Sequence, residues 1–387
     1  MEPKIRFKGF EGEWKTPSIG DVFELRNGYT PSKIVKEFWE GGTIPWFRME
    51  DIRINGGFLK DALQHITPLA VKGAGLFEKN SIILATTATI GVHAMLIADS
   101  LANQRFTNFK VRKSLSDEYI DEFIYYSFFK IDEWSKNNTN SGGLLSVNMP
   151  LLVKQGFLTP CKEEQQTIAS YFRILDAKLQ ASTKKVESLK KLKSASLVAM
   201  FPQNGESTPK VRFKGFEGEW KKVKLGNVCS VNRGTRITKK ELNTNQSYPV
   251  YQNTNYPLGY YKNYNVEANN PYVIIGGSAG LIGFSNVPFW AADDCAYFGD
   301  NDSLDKAFLY STLLSHIAEI KKNVRGSSVP RLDRSTLIDL EINLPSFSEQ
   351  QAIASFFRSL DRKIALETAR LEKLKQIKRA CLDKMFV

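Results

Sequence analysis

Mostly apolar positions step by four and three through two stretches of the chain, with Ser182 and Glu367 the polar exceptions. Ile168, Phe172, Leu175, Leu179, Ser182, Val186 and Leu189 make one series, and Ile353, Phe357, Leu360, Ile364, Glu367, Leu371 and Leu374 make the other. That spacing puts a narrow stripe along one side of a helix, the pattern of a coiled-coil seam. Lysines and arginines crowd the other faces. Taken as one helix, Glu163 to Phe201 spans about 58 Å at 1.5 Å per residue. The second stretch opens on a capping box, Ser346 with Glu349 after Pro345, whereas Cys161 holds the corresponding place in the first and predicts a weaker cap.

Elsewhere the pattern changes. Residues 80–98 and 271–290 are β-branched runs broken by glycine, which predicts buried strands with tight turns. Residues 117–134 and 305–323 carry helical apolar faces, and 337–345 alternates as a strand. The predicted fold class is α+β, with two mixed modules and two long helices.

The halves repeat. "PKIRFKGFEGEWK" (3–15) returns as "PKVRFKGFEGEWK" (209–221) with Ile5 against Val211 as the one change, and "EQQTIASYFRILDAKL" (164–179) returns as "EQQAIASFFRSLDRKI" (349–364). The first pair is offset by 206 residues and the second by 185, so the frame is duplicated while its contents differ. Residues 16–140 and 222–325 show no evident similarity. The expected layout is a first module at 1–160, a first helix at 161–201, a linker at 202–208, a second module at 209–345 and a second helix at 346–387. For the second helix to bury its stripe on the first it must run back along it. An antiparallel coiled coil with an internal pseudo-two-fold is the expected result.

Composition narrows the function. No apolar run approaches the roughly 18 residues of a membrane span, and "MEPKIRFKGF" lacks the layout of a signal peptide. Cys161, Cys229, Cys295 and Cys381 stand singly, which points to a reducing, cytoplasmic setting without a disulfide framework or a zinc site. The formal net charge of +12 favours an anionic partner, nucleic acid first among them. Residues 161–201 carry eight basic and four acidic groups, and 347–387 carry nine and five, so the helices hold much of that excess. They therefore lie near DNA phosphates or dock an acidic partner surface.

The chain shows no constellation for catalysis. "IIGGSAGLIG" lacks the lysine of a phosphate-binding loop and reads as strand, turn, strand. "NNPY" (269–272) reads as a turn. Glu13-x-Lys15 recurs at Glu219 and Lys221 inside the repeated frame without an upstream acid, and His65, His93 and His316 are isolated. Polar loops beside aromatic residues are more informative: Arg48, Asn103, Gln104 and Arg105 in the first module, Arg233, Arg236, Gln252, Asn253 and Asn255 in the second. Arginine, asparagine and glutamine make the bidentate contacts that read guanine and adenine edges.

These residues resemble the specificity (S) subunit of type I restriction–modification systems across essentially the whole chain. The resemblance is carried by the module openings at Trp14 and Trp220, by "GYTPSK" (28–33), by "TATIG" (87–91) with Asn103 and Gln104 after it, and by "YPVYQNTN" (248–255). Each module then closes on Pro-x-x-x-Glu-Gln-Gln-x-Ile-Ala, at Pro160 and Pro345. The resemblance implies that each module is a target-recognition domain reading one half of a split site in double-stranded DNA. A shared frame with a pseudo-two-fold puts both modules on one face of the duplex, their half-sites about one helical turn apart, roughly 10 bp centre to centre. It implies helices that space the modules and bind two modification subunits, which hold S-adenosylmethionine and methylate adenine. Separate restriction subunits would use ATP and magnesium, while this chain binds no cofactor or metal and is itself non-catalytic. The competing expectation is a duplicated scaffold that binds protein or glycan, which salt-dependent binding to duplex DNA distinguishes.

Overall fold

The structure, a computed structural model, describes residues 2–140, 143–203, 205–243 and 245–386. Asn204, within the expected linker 202–208, lies outside them. Contacts divide the chain into two units, Met1–Ala181 with Leu371–Val387, and Ser182–Arg370.

The first unit runs through α1 (Ile19–Val22), β1 (Phe23–Asn27), β2 (Ile44–Phe47), α2 (Met49–Asn55), β3 (Phe58–Leu59), β4 (His65–Ile66), β5 (Ile82–Ala85), β6 (His93–Leu96), β7 (Leu101–Ala102), β8 (Phe106–Val111), α3 (Asp121–Asn137) and α4 (Met149–Leu152), then enters α5 (Lys162–Ala199). Strands β1-β8-β5-β6-β3 form one sheet and β4-β2-β7 a smaller one. Successive strand residues face opposite ways, and here both faces are covered. Ile82, Leu84 and Met95 join one core with α3 residues Phe123 and Phe128, while Ile83, Ala85, Ala94 and Leu96 join another with Trp46 and Phe47 of the small sheet. Each buried leucine, isoleucine, methionine or phenylalanine among them stabilises the fold by about 1.5–3 kcal/mol.

The second unit contains β9 (Lys221–Lys224), β10 (Val231–Arg233), β11 (Tyr248–Tyr251), β12 (Gly259–Tyr261), β13 (Asn270–Ile274), β14 (Ile282–Ser285), β15 (Trp290–Ala291), β16 (Cys295–Phe298), α6 (Lys306–Ser315), α7 (Ile317–Lys322), α8 (Arg334–Ile338), β17 (Glu341–Leu344) and the start of α9 (Phe347–Met385). Its sheets are β10-β16-β13-β14, β12-β11-β15 and β17-β9. The order β10-β16-β13-β14 repeats β1-β8-β5-β6, so the two inserts share a plan that their sequences conceal.

Three local expectations need correction. "NNPY" is not a turn: Asn270, Pro271 and Tyr272 begin β13, with Asn269 supplying the left-handed residue before it (φ 57°). Pro271 is tolerated because pairing with β16 starts only at Tyr272. The strand expected over 337–345 starts at Glu341, since α8 extends to Ile338. The expected capping box at Ser346 is half made. Ser346 Oγ accepts the Glu349 N–H at 3.4 Å, but the Glu349 carboxylate is taken by Arg212 at 2.7 and 2.8 Å.

That arginine explains the repeated peptide. Arg6 grips the buried Glu164 at 2.8 and 2.7 Å as Arg212 grips Glu349, and each also donates to the two carbonyls of its own Glu-Gly turn. The next residue, Gln165 or Gln350, is buried and ties the preceding loop to the helix, accepting from the N–H of Ile120 or Asp305 and donating to the carbonyls of Pro160 or Pro345. The same peptide holds an arriving helix end: Ile5 N–H donates to Lys384 O at 3.1 Å and Val211 N–H to Ala199 O at 2.9 Å.

The helix contacts repeat in each unit. Near the start of α5, Asp176 meets Lys378 near the end of α9 at 2.5 Å. In the second unit Asp361 of α9 meets Lys193 of α5 at 2.6 Å and Glu367 meets Lys185, so within each unit the helix segments run antiparallel. Phe386 lies 5.7 Å from Phe123 and 5.8 Å from Phe172, ring to ring, while Phe201 lies 5.7 Å from Phe308 and 6.1 Å from Phe357. Of the predicted seam, Ile168, Phe172, Leu175, Val186, Ile353, Phe357, Leu360 and Leu371 are buried, and Leu179, Leu189, Ile364 and Leu374 half-buried. The outer turns do not form a free-standing coiled coil, because Ile168, Phe172, Ile353 and Phe357 belong to the module cores. No helix among the described residues is long and apolar enough to cross a membrane.

Candidate nucleic-acid interface

In the first module β2 and β7 are parallel neighbours, Trp46 opposite Leu101 and Phe47 opposite Ala102. Parallel strands end at one edge, so Arg48 and Asn103–Arg105 emerge together. Asn103 Oδ1 accepts the Arg105 N–H at 3.0 Å, an Asx turn that sets Gln104 and Arg105 outward, where both are exposed. Gln104 Oε1 accepts the Thr30 hydroxyl at 2.5 Å, joining the "GYTPSK" loop to this edge. The Arg48 guanidinium lies 6.0 Å above the Trp46 ring and 3.2 Å from Glu50. Trp46 is fixed in turn by its indole N–H donating to Tyr29 O at 3.0 Å.

The second module builds the same edge from β11 and β15, also parallel, with Val250 opposite Trp290 and Tyr251 opposite Ala291. Gln252 follows β11, and its amide donates to Asp293 Oδ1 at 3.4 Å; Arg233 Nε donates to the Asp293 carbonyl at 2.6 Å. Asn253 and Asn255 are exposed, their carbonyls accepting from Ser278 N–H at 3.0 Å and the Tyr272 hydroxyl at 3.2 Å. Tyr256 beyond them is 73% exposed. Arg105 and Arg236 are exposed and have no carboxylate partner among the described residues.

The two edges correspond bond for bond. Asn103 N–H donates to Phe47 O at 3.1 Å and Ala292 N–H to Tyr251 O at 2.9 Å; Tyr29 N–H donates to Ala102 O and Thr235 N–H to Ala291 O, both at 2.9 Å. Phe106 N–H reaches Asn103 O at 3.1 Å as Cys295 N–H reaches Ala292 O at 2.9 Å. Gly28 and Gly234 press on carbonyl oxygens, of Ala102 and Asn103 or of Ala291 and Ala292, that a Cβ would strike. The "TATIG" loop has its counterpart in "GSAG": Ala88 and Gly277 are left-handed (φ 67° and 81°), as are Gly91 and Gly280 (φ 70° and 84°). Ala88 N–H donates to Leu145 O and Gly277 N–H to Pro330 O, both at 3.0 Å.

Through this correspondence Gln104 matches Asp293, Arg105 matches Asp294, and Arg48 matches Gln252. The structure thus brings Arg48, Asn103, Gln104 and Arg105 together, and groups Arg233 with Gln252. Sequence reasoning missed Asp293 and Asp294, because carboxylates were not sought beside basic loops. The signal that could have found them is the glycine common to "RNGYT" and "NRGTR", at the 206-residue offset of the frame. The histidines are partnered locally: His93 with Asp132 at 2.7 Å in the core, His65 with Asp61 at 2.6 Å, His316 with Thr312 O at 2.9 Å. Among the described residues no cluster of three or more His, Cys, Asp or Glu could hold a metal ion.

Comparison with known proteins is consistent along the chain. Residues 11–191 and 217–376 match the family model described as the type I restriction modification DNA specificity domain. The EcoprrI specificity subunit of Escherichia coli is 33% identical over 368 residues, covering 91% of this chain and 88% of that one. The MjaIX specificity subunit of Methanocaldococcus jannaschii is 25% identical, covering 96% and 92%. The crystal structure of the type I restriction-modification system S subunit from M. genitalium has the same fold, with a TM-score of 0.71 at 18% identity, covering 100% of this chain and 99% of that one. With a duplicated frame and two matching domain segments, the chain belongs to the DNA specificity subunits of type I restriction–modification systems.

Proposed function

We propose that the chain reads an asymmetric, split site in duplex DNA, one half with each module, and docks two modification subunits through its duplicated helix frame. The observation that carries this proposal is one backbone scaffold bearing two unlike sets of side chains. Arg48, Gln104 and Arg105 stand at positions where the second module offers Gln252, Asp293 and Asp294. Equal scaffolds present equal geometry to a duplex, while unlike side chains select unlike bases. Arg48, Asn103, Gln104 and Arg105 are the proposed readers of the first half, and Arg233, Arg236, Gln252, Asn253 and Asn255 of the second.

The frame supports two equivalent docking sites, since the Arg–Glu grip and the Lys–Asp pair occur once in each unit. The chain is non-catalytic in this scheme and carries no cofactor. S-adenosylmethionine and adenine methylation belong to the modification subunits, ATP and magnesium to the restriction subunits. The test is genome-wide mapping of methylated adenine in cells with and without the gene. Two unlike motifs at a fixed gap, methylated only when the gene is present, are expected. A palindromic motif, or methylation that persists without the gene, contradicts the proposal.

A further inference from the structure

We propose that Asp293 is a specificity-determining residue of the second module, its carboxylate accepting a hydrogen bond from the exocyclic amino group of cytosine or adenine. The proposal rests on the DNA-reading function above and deepens it. Asp293 occupies the place of Gln104, one residue past a bond that closes the same parallel strand pair in both modules. Gln104 both donates and accepts, so it tolerates several base edges; an ionised carboxylate only accepts.

A negative charge beside phosphates opposes binding, so it does not add to general affinity for DNA. Nor does the local fold consume it. Arg233 donates to the Asp293 carbonyl rather than to its side chain, and Gln252 reaches only Oδ1, at 3.4 Å. Oδ2 has no partner among the described residues. Asp294 differs, its Oδ1 lying 3.6 Å from Arg331 and packed over Gly276. In the major groove cytosine N4 and adenine N6 present amino donors where guanine O6 and thymine O4 present acceptors. A carboxylate aimed at that edge attracts the first pair and repels the second.

The experiment is selection of bound duplexes from a random library by the chain with its modification subunits, comparing wild type with Asp293→Asn and Asp293→Ala. At one base of one half-site, wild type should select cytosine or adenine. Both variants should lose that preference by about tenfold and leave the other half unchanged. Binding to non-specific duplex should hold or strengthen, because a repulsive charge is gone, and melting should be unaltered. Unchanged base preferences in Asp293→Asn, or a uniform loss of affinity with preferences intact, would overturn the role of Asp293 alone. Wild type that selects no sequence at all would overturn the DNA-reading function itself.

Discussion

Ala88 holds a left-handed backbone where the second module has Gly277. Such a conformation costs a residue with a Cβ about 1–2 kcal/mol, and glycine returns part of that through its freer unfolded chain. Ala88→Gly should therefore stabilise the protein by about 0.5–1 kcal/mol in urea unfolding. Gly277→Ala should destabilise it, since the new Cβ would also lie 2.7 Å from Asn253 Cβ. Burial pushes the Cys229 thiol from 9.0 up to about 11. Because the folded value lies above the unfolded one, its contribution is complete below pH 9 and disappears as pH rises through 11. The stability of wild type relative to Cys229→Ala should fall across that window. At this scale the sequence pattern marks where the two edges lie: Arg48 and Gln104 stand beside aromatics in the first module and Gln252 in the second, and the structure places each just past a parallel strand pair. Asp293 does not stand out, because its correspondence with Gln104 depends on strand pairings and backbone bonds that the sequence pattern does not display.

The elements were legible in proportion to how local their causes are. The long helices follow from a stripe that repeats every few residues, and the buried strands from runs such as 80–98. The cause of the repeated peptide is not local: Arg6 and Glu164 are far apart in sequence and meet only in the folded unit. Removing one partner leaves a buried charge uncompensated, so Arg6→Met or Arg212→Met should cost about 3 kcal/mol. Replacing both partners, as in Arg6→Met with Glu164→Leu, should recover most of it, which a double-mutant melting series checks. Within the seam, Leu175→Asp or Leu360→Asp buries an unpaired charge and should cost about 3 kcal/mol or more. Melting near the wild-type temperature in either variant would contradict the seam assignment. The shared plan of the two inserts was hidden because their common features are backbone hydrogen bonds, which different side chains satisfy equally well.

For the whole molecule the repeat marks a duplicated frame whose inserts differ, and the proposed two-part reading of DNA rests on that arrangement. Both features stand in the sequence; what the structure adds is that the two inserts share one strand order and one set of edge hydrogen bonds. It also moves their boundary. Residues 222–325 look like the complete second insert by sequence, yet Pro330 and Leu332 bond to Gly277 and Ile275, so a functional exchange must extend to about residue 333. The most direct measurement replaces residues 222–333 with the corresponding segment of another specificity subunit and maps methylated adenines in cells carrying the hybrid. One half of the recognition sequence should change, while the other half and the gap between them stay as they were. A hybrid that altered both halves, or that kept the original sequence intact, would contradict the account.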